Sequence, residues 1–171
     1  MGLVSLINEI KKCEQAGAIT AALAMSFICI DAAVYLGVPE GREKQGRSDF
    51  IDWVNSYLKA DPQQTYAYRG IDVYGARCAV LHSFSSESDF HLVNPEAKIY
   101  GYHDGGRHAE SQDIHDRLVL VGIPSFIDDV VRAVSQFLND SLSVPDLKSR
   151  IEIRNQTMLA HHPFRLKRYL K

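Results

Sequence analysis

The stretch from Ala18 to Val38 limits the possible folds more than any other part of the chain. Its sequence, AITAALAMSFICIDAAVYLGV, is apolar almost all round when wound as a helix, and Asp31 is its only charged residue. A helix without a polar face must be enclosed by other elements or by lipid. Because the run is interrupted by Asp31, is rich in small residues and lacks basic flanks, we predict a central core helix, with a membrane span as the alternative.

The overall composition is typical of a globular protein. The 171 residues fit one domain, and 46% apolar with 23% charged residues is enough to build a core. A formal net charge of -2 argues against a chain coated with positive charge for nucleic acid, but it permits a local basic patch. The three cysteines, Cys13, Cys29 and Cys78, lie in apolar runs without C-x-x-C spacing, which is typical of reduced thiols. The N-terminus has no secretory signal pattern, so we predict a cytoplasmic protein with no membrane partner.

Helical periodicity dominates the chain. Ser48 is predicted to cap the helix SDFIDWVNSYLK, and Ser125 with Asp128 is predicted to form the capping box of PSFIDDVVRAVSQFLNDSL. The predicted helices cover residues 3–36 with a break near Gly17, 48–59, about 68–83, and 124–142. The stripe of the last helix, predicted to face the core, consists of Phe126, Ile127, Val130, Val131, Val134, Phe137 and Leu138.

Two short strand-like runs, KIYGY and RLVLVGI, enclose the polar segment HDGGRHAESQDIHD. They predict a hairpin or a pair of short extended segments, a small hairpin-like insertion around residues 97–123 of a mainly helical fold. We predict a helical domain over residues 1–145 and a basic tail, or a short helix packed on the domain, over 146–171. From Leu147 to Lys171 the tail carries seven Lys or Arg residues against Glu152. It is interpreted as a solvated arm, a helix that wraps a dimer, or a contact to an RNA backbone.

The stretch YGARCAVLHSF contains a permanent cation, Arg77, and a titratable ring, His82, within an apolar helix. At about 100° per residue, these two side chains lie on opposite edges of one apolar stripe. The stripe consists of Ile71, Tyr74, Cys78 and Leu81, and the opposite face consists of Val73, Ala76 and Val80. A buried guanidinium is costly unless it is paired, so we expect an acidic partner such as Asp31 or an anionic ligand for Arg77.

Arg77 and His82 have an R-x4-H spacing near the end of a helix that resembles the signature of the HEPN superfamily. Members are all-helical domains, usually dimeric, and many are metal-independent RNases of bacterial toxin and defence systems. The similarity extends more weakly to ICIDAAVYL and FIDWVNSYL and covers about residues 15–140. The resemblance implies a HEPN-like antiparallel bundle of four or five helices.

The resemblance also implies an endoribonuclease that needs no metal and no cofactor. Arg77 would hold the scissile phosphate and His82 would transfer the proton, supported by Asp31, Tyr74 and Cys78. If the stripe of Ile71, Tyr74, Cys78 and Leu81 is a two-fold contact, two copies of the pair converge in a homodimer. RNA and an antitoxin or other protein partner are the expected ligands of such a protein.

Cys78 departs from the pattern, because active members commonly place a polar residue directly after the arginine. A catalytically silent HEPN-like module that binds nucleotide, RNA or a protein partner is therefore the alternative function. In the structural alternative, Arg77 pairs with a carboxylate and His82 caps carbonyls at the helix end. Cys78 is interpreted as a buried structural thiol or as a nucleophile beside His82.

The Gly-rich segment offers a second set of polar candidates. Its spacings match no strong metal template, so a polar hairpin loop is preferred over a metal site. The residues concerned are His103, His108 and His115, with Asp104, Asp113 and Asp116.

Overall fold

The computed structural model describes residues 2–110 and 116–159, and these form seven α-helices and three strands. A π-helical turn, Ala79–Ser83, continues α4. The elements are α1 (Leu3–Gln15), α2 (Ile19–Gly37), α3 (Arg47–Tyr57), α4 (Gly70–Cys78), α5 (Asp89–Val93), β1 (Ile99–His103), β2 (Ala109–Glu110), β3 (Leu118–Gly122), α6 (Ile123–Ser143) and α7 (Pro145–Asn155).

The predicted mainly helical class is confirmed, but the predicted number of four or five helices is too low. The first predicted helix divides into α1 and α2, because Gly17 adopts φ +74, a left-handed conformation that ends a helix. The short helix α5 had no clear periodic pattern in the sequence, whereas α7 lies in the segment predicted as a basic tail or a short packed helix. The remaining predicted helices correspond to α3, α4 with its π-helical turn, and α6.

The apolar helix α2 lies in the core and packs against α1, α3, α6 and α7. By length and composition it could cross a membrane, but half of its apolar window is buried in this fold. Its interior face includes Phe27, Ile30 and Leu36, all essentially inaccessible to solvent. Neighbouring helices thus cover the interior face of this apolar helix, as the sequence pattern predicts. The cytoplasmic location stays a prediction.

Both predicted capping serines are wrong. Helix α3 begins at Arg47, and the carboxylate of Asp49 accepts a hydrogen bond of 2.6 Å from the backbone N–H of Gly46. Helix α6 begins at Ile123, so Ser125 lies inside its first turn and donates its hydroxyl to the carbonyl of Gly106. Helix α3 thus begins with a local contact between Gly46 and Asp49, and α6 begins with Pro124 in its first turn.

Of the two alternatives for the strand-like runs, the pair of short extended segments is confirmed and the hairpin is wrong. Strands β1 and β3 pair in parallel, with Ile99 opposite Leu118, and β2 pairs antiparallel to β3 on its other side. The sheet order is therefore β1-β3-β2. The segment between β1 and β3 is long enough for the crossover that a parallel pair requires, which a turn-based prediction does not consider.

Helices α3 and α4 approach each other closely at Gly70. A Cβ atom at this position would lie closer than 3.0 Å to the backbone carbonyl oxygen and the Cα of Ile51. We expect Gly70→Ala to lower the free energy of unfolding by about 2 kcal/mol, because backbone atoms cannot move aside cheaply. Chemical denaturation measures this change. Gly106→Ala is the matched control, since its added methyl meets only Ser125 Oγ at 3.7 Å, and equal stability of both variants would contradict the assignment.

Candidate active-site cleft at the end of α4

Helix α4 is held in place by an apolar face and by one buried carboxylate. Val73, Ala76 and Val80 point into the core, as the sequence predicts. Asp72 is fully buried and accepts hydrogen bonds from Tyr66 Oη at 2.6 Å, from the backbone N–H of Lys98 at 2.8 Å, and from the guanidinium of Arg69. A buried carboxylate satisfied from three sides fixes α4 against β1 and the segment before it.

The end of α4 has two unusual backbone features. The helix continues into the π-helical turn Ala79–Ser83, which carries His82, and this turn is followed by Phe84 at φ +49. Single π-helical turns occur often at functional sites, and positive φ is rare for a bulky residue. Phe84 is also 75% exposed. The strained end of the helix thus presents His82 to solvent.

Arg77 links the central helix α2 to His82. Its Nε lies 2.9 Å and its Nη2 lies 2.8 Å from Oδ2 of Asp31. Its Nη1 lies 2.9 Å from Nε2 of His82. All three guanidinium nitrogens are therefore engaged within the chain. Asp31 is the acidic partner that the apolar environment of Arg77 requires.

The contact to Arg77 defines the state of the His82 ring. A guanidinium has only donors, so Nε2 of His82 must accept the hydrogen bond and the ring proton lies on Nδ1. The ring is neutral in this arrangement. The lone pair of Nε2, the atom that would take a proton from a substrate, is held by Arg77. His82 does not cap the carbonyl groups of its own helix in any hydrogen bond among the described residues.

Burial and pairing with Arg77 have opposite effects on the pKa of Asp31. Burial raises the pKa of Asp31 above its usual value, and the hydrogen bonds and charge of Arg77 only partly offset that rise. Gln45 donates from Nε2 to the second oxygen, Oδ1, at 3.1 Å. With Arg77 on one oxygen and Gln45 on the other, the carboxylate is fixed in orientation and so fixes Arg77.

His82 lies on the wall of a cleft of about 370 Å³ that is open to solvent. Tyr74 and Cys78 line the same cleft, together with Phe90 and Arg47. The Tyr74 ring makes edge contacts with Phe90 and with Phe50, at centroid distances of 5.0 and 5.5 Å. The predicted stripe on α4 is therefore partly covered by α3 and α5 of the same chain. A cleft of this size is in the range that binds small ligands.

Cys78 contributes its thiol to the cleft rather than to the core. Its Sγ lies 4.0 Å from Nη1 of Arg77, and the residue is half-buried. His82 and the predicted supporting residues Tyr74 and Cys78 thus line one cleft. Asp31 is connected to His82 by the hydrogen bonds of Arg77.

Arg47 is the residue of this cleft that sequence reasoning missed. It is the first residue of α3, and its guanidinium lies 5.0 Å from the ring centroid of Phe90 and 5.6 Å from that of Tyr74. A signal was present in the sequence, since a cation at the N-terminus of a helix opposes the helix dipole. It could not be interpreted without knowing that α3, α4 and α5 meet there.

The histidines of the Gly-rich segment form no metal site among the described residues. His108 is buried, with Nε2 at 2.6 Å from Tyr68 Oη and Nδ1 accepting from the backbone N–H of Gly122 at 3.1 Å. His103 bonds backbone groups of its own loop, Gly105 and Arg107. His115 and Asp113 lie outside the described residues. In the described part of this segment, His103 and His108 therefore hold the local structure through hydrogen bonds.

The two arginines in the middle and last turns of α7 contact other parts of the fold. Arg150 donates to the carbonyl of Gly37 at 2.7 Å, and Arg154 donates to the carbonyl of Arg42 and lies 4.8 Å from the Tyr35 ring centroid. These contacts attach α7 to the end of α2. The last four basic residues of the chain, Arg165, Lys167, Arg168 and Lys171, lie outside the described residues.

Comparison with known proteins does not add to this geometry. No family model, no curated protein and no solved structure matches the chain. The resemblance to HEPN domains therefore continues to rest on the Arg77 and His82 spacing and on the surrounding sequence.

Proposed function

We propose that the protein is a metal-independent endoribonuclease of HEPN type. The observation that carries this proposal is the 2.9 Å hydrogen bond from Arg77 Nη1 to Nε2 of His82, a residue that lines an open cleft. A neutral imidazole next to a guanidinium supplies both the base and the cation that RNA transesterification uses. The toxin or defence role implied by the resemblance is part of the same proposal.

In the proposed reaction, the 2′-hydroxyl of RNA takes the place of Arg77 Nη1 at the lone pair of His82 Nε2. The hydroxyl proton passes to Nε2, the 2′-oxygen forms a bond to phosphorus, and the bond from phosphorus to the 5′-oxygen breaks. The released 5′-oxygen takes the proton that His82 has gained, so the ring returns to its neutral form, and the products are a 2′,3′-cyclic phosphate and a 5′-hydroxyl. Arg77 Nη1, released from His82, donates to a phosphate oxygen.

The resemblance to HEPN domains implies a second copy of the chain at this cleft. Ile71, Cys78 and Leu81 remain half-buried, and Phe84 is largely exposed. We expect a homodimer in which two copies of His82 face one cleft. Light scattering at micromolar concentration should give twice the chain mass of 19.2 kDa. A monomer mass over that concentration range would contradict the shared site.

The ion pair between Arg77 and Asp31 supports a second candidate function. The Arg77 guanidinium is paired with Asp31 through both Nε and Nη2, which is the arrangement of a structural ion pair. Cys78, which follows it, provides no charged or strongly hydrogen-bonding group. These features favour a catalytically silent module that binds RNA, nucleotide or a protein partner in the same cleft.

Incubation of the purified protein with single-stranded RNA in EDTA distinguishes the two functions. The endoribonuclease predicts cleavage that persists in EDTA and products that carry 2′,3′-cyclic phosphate ends. Binding of the RNA without cleavage would support the silent module. Cleavage that disappears on chelation would contradict the metal-independent mechanism.

A further inference from the structure

Arg47 is an arginine without an ion-pair partner in the cleft that contains His82. No carboxylate in residues 2–110 or 116–159 pairs with it. Its side-chain N–H groups likewise have no hydrogen-bond acceptor in that part of the chain, although the side chain is exposed at the cleft. Its five donors are therefore available to a ligand.

The aromatic rings keep Arg47 in the cleft without using its donors. The guanidinium lies over Phe90 at 5.0 Å and over Tyr74 at 5.6 Å, so it is attracted to two ring faces. Phe90 is only 7% exposed and is held by the core. A cation restrained in this way loses less side-chain freedom when it binds an anion than a free surface arginine does.

The helix dipole disfavours a cation at the position of Arg47. It is the first residue of an eleven-residue helix, where the partial positive charge of the helix N-terminus repels a cation. Asp49, the acidic residue of that turn, pairs with Arg42 instead. The contacts with Phe90 and Tyr74 are therefore what hold Arg47 at this end of α3.

Arg47 and Arg77 differ in what they can offer to a phosphate. Every guanidinium nitrogen of Arg77 is engaged by Asp31 or His82, and only Nη1 is released when a substrate displaces it. Arg47 offers its whole planar fork, which matches two phosphate oxygens at once.

We propose that Arg47 binds a backbone phosphate of single-stranded RNA next to the scissile phosphate, and that Arg77 mainly positions His82. The proposal rests on the proposed function for the identity of the ligand. It adds this phosphate contact to the one that Arg77 Nη1 makes with the scissile phosphate. Because the strand must bend into a cleft of about 370 Å³, unpaired RNA is the substrate that fits.

Binding of a fluorescent 2′-O-methyl RNA oligonucleotide tests the proposal independently of cleavage, since this probe lacks the attacking hydroxyl. Arg47→Ala should weaken binding about tenfold at roughly 0.1 M salt. It should also reduce the slope of log Kd against log salt by about 0.7, the value for one phosphate contact to a single strand. Arg47→Lys should keep the wild-type salt slope but lose part of the affinity, because it retains the charge and not the fork. In cleavage assays Arg47→Ala should raise KM and leave kcat nearly unchanged.

Arg107→Ala is the matched control, because it removes an exposed arginine that lines a different cavity. It should bind with wild-type affinity and salt slope. An Arg47→Ala variant with unchanged affinity and slope, or wild-type protein that does not bind the probe, would overturn the inference. Wild-type protein that binds through Arg47 but cleaves no RNA would instead refute the endoribonuclease and leave the phosphate contact standing.

Discussion

Replacing His82 by alanine is expected to lower the rate of RNA cleavage by a factor of about 100 to 10,000. The reason is that this ring is the only group of the cleft proposed to take the 2′-hydroxyl proton, and positioned acid–base groups contribute factors of this size. The fold should be unaffected, because His82 is exposed at the end of a helix and its only described side-chain hydrogen bond is to Arg77. The measurement is single-turnover cleavage of a labelled RNA in EDTA, together with thermal melting.

Ser83→Ala is the matched control for His82→Ala. Ser83 lies in the same π-helical turn, lines the same cleft and is exposed, but has no proposed role. This variant should cleave at the wild-type rate. If His82→Ala cleaves as fast as Ser83→Ala, the activity belongs to another site or to a contaminating nuclease, and His82 is not the base.

Replacing Val134 by aspartate is expected to lower the free energy of unfolding by about 4 kcal/mol or more. Val134 is inaccessible to solvent in the middle of α6, where it belongs to the apolar cluster of the core. The new carboxylate would be buried without a cation or hydrogen-bond donor to pair with it. Burying an unpaired charge is one of the most destabilising single substitutions. Chemical denaturation followed by circular dichroism measures the shift. If the variant does not fold, Val134→Ala should still show a clear loss from the cavity it creates.

Ser135→Asp serves as the control for this substitution. It places the same charge one residue further along α6, on the exposed face. The change in stability should stay within about 0.5 kcal/mol, as for most surface substitutions. Equal midpoints for Val134→Asp and wild type would mean that the buried face of α6 is assigned wrongly.

The parts of the fold that were predicted correctly depend on local patterns. An apolar residue every three or four positions predicted the buried face of α6, and a run that is apolar except for Asp31 predicted the central position of α2. The glycine at position 17 marked the boundary between α1 and α2. In each case the information lies within a few turns of one helix, so it can be extracted without knowing what the helix contacts.

Side-chain capping was predicted less well, although it is also local. Ser48 and Ser125 have the residue type of a cap but lie inside their helices. At α3 a carboxylate, Asp49, accepts from the backbone N–H of Gly46 in place of a serine cap. At α6 the start lies two residues before Ser125, with Pro124 in the first turn, and the hydroxyl of Ser125 donates to the distant carbonyl of Gly106.

The sequence by itself determined that the chain is mainly helical, which helix is central, and that Arg77 must find an acidic partner. Only the tertiary structure decided the parallel pairing of β1 with β3, the engagement of Arg77 by Asp31 and His82, and the placement of Arg47 in the same cleft. The physical reason is that the first group follows from periodicity and from the cost of burying a charge, which act on each segment separately. The second group follows from contacts between residues far apart in sequence, such as Asp31 and Arg77, and these form only when several helices pack together.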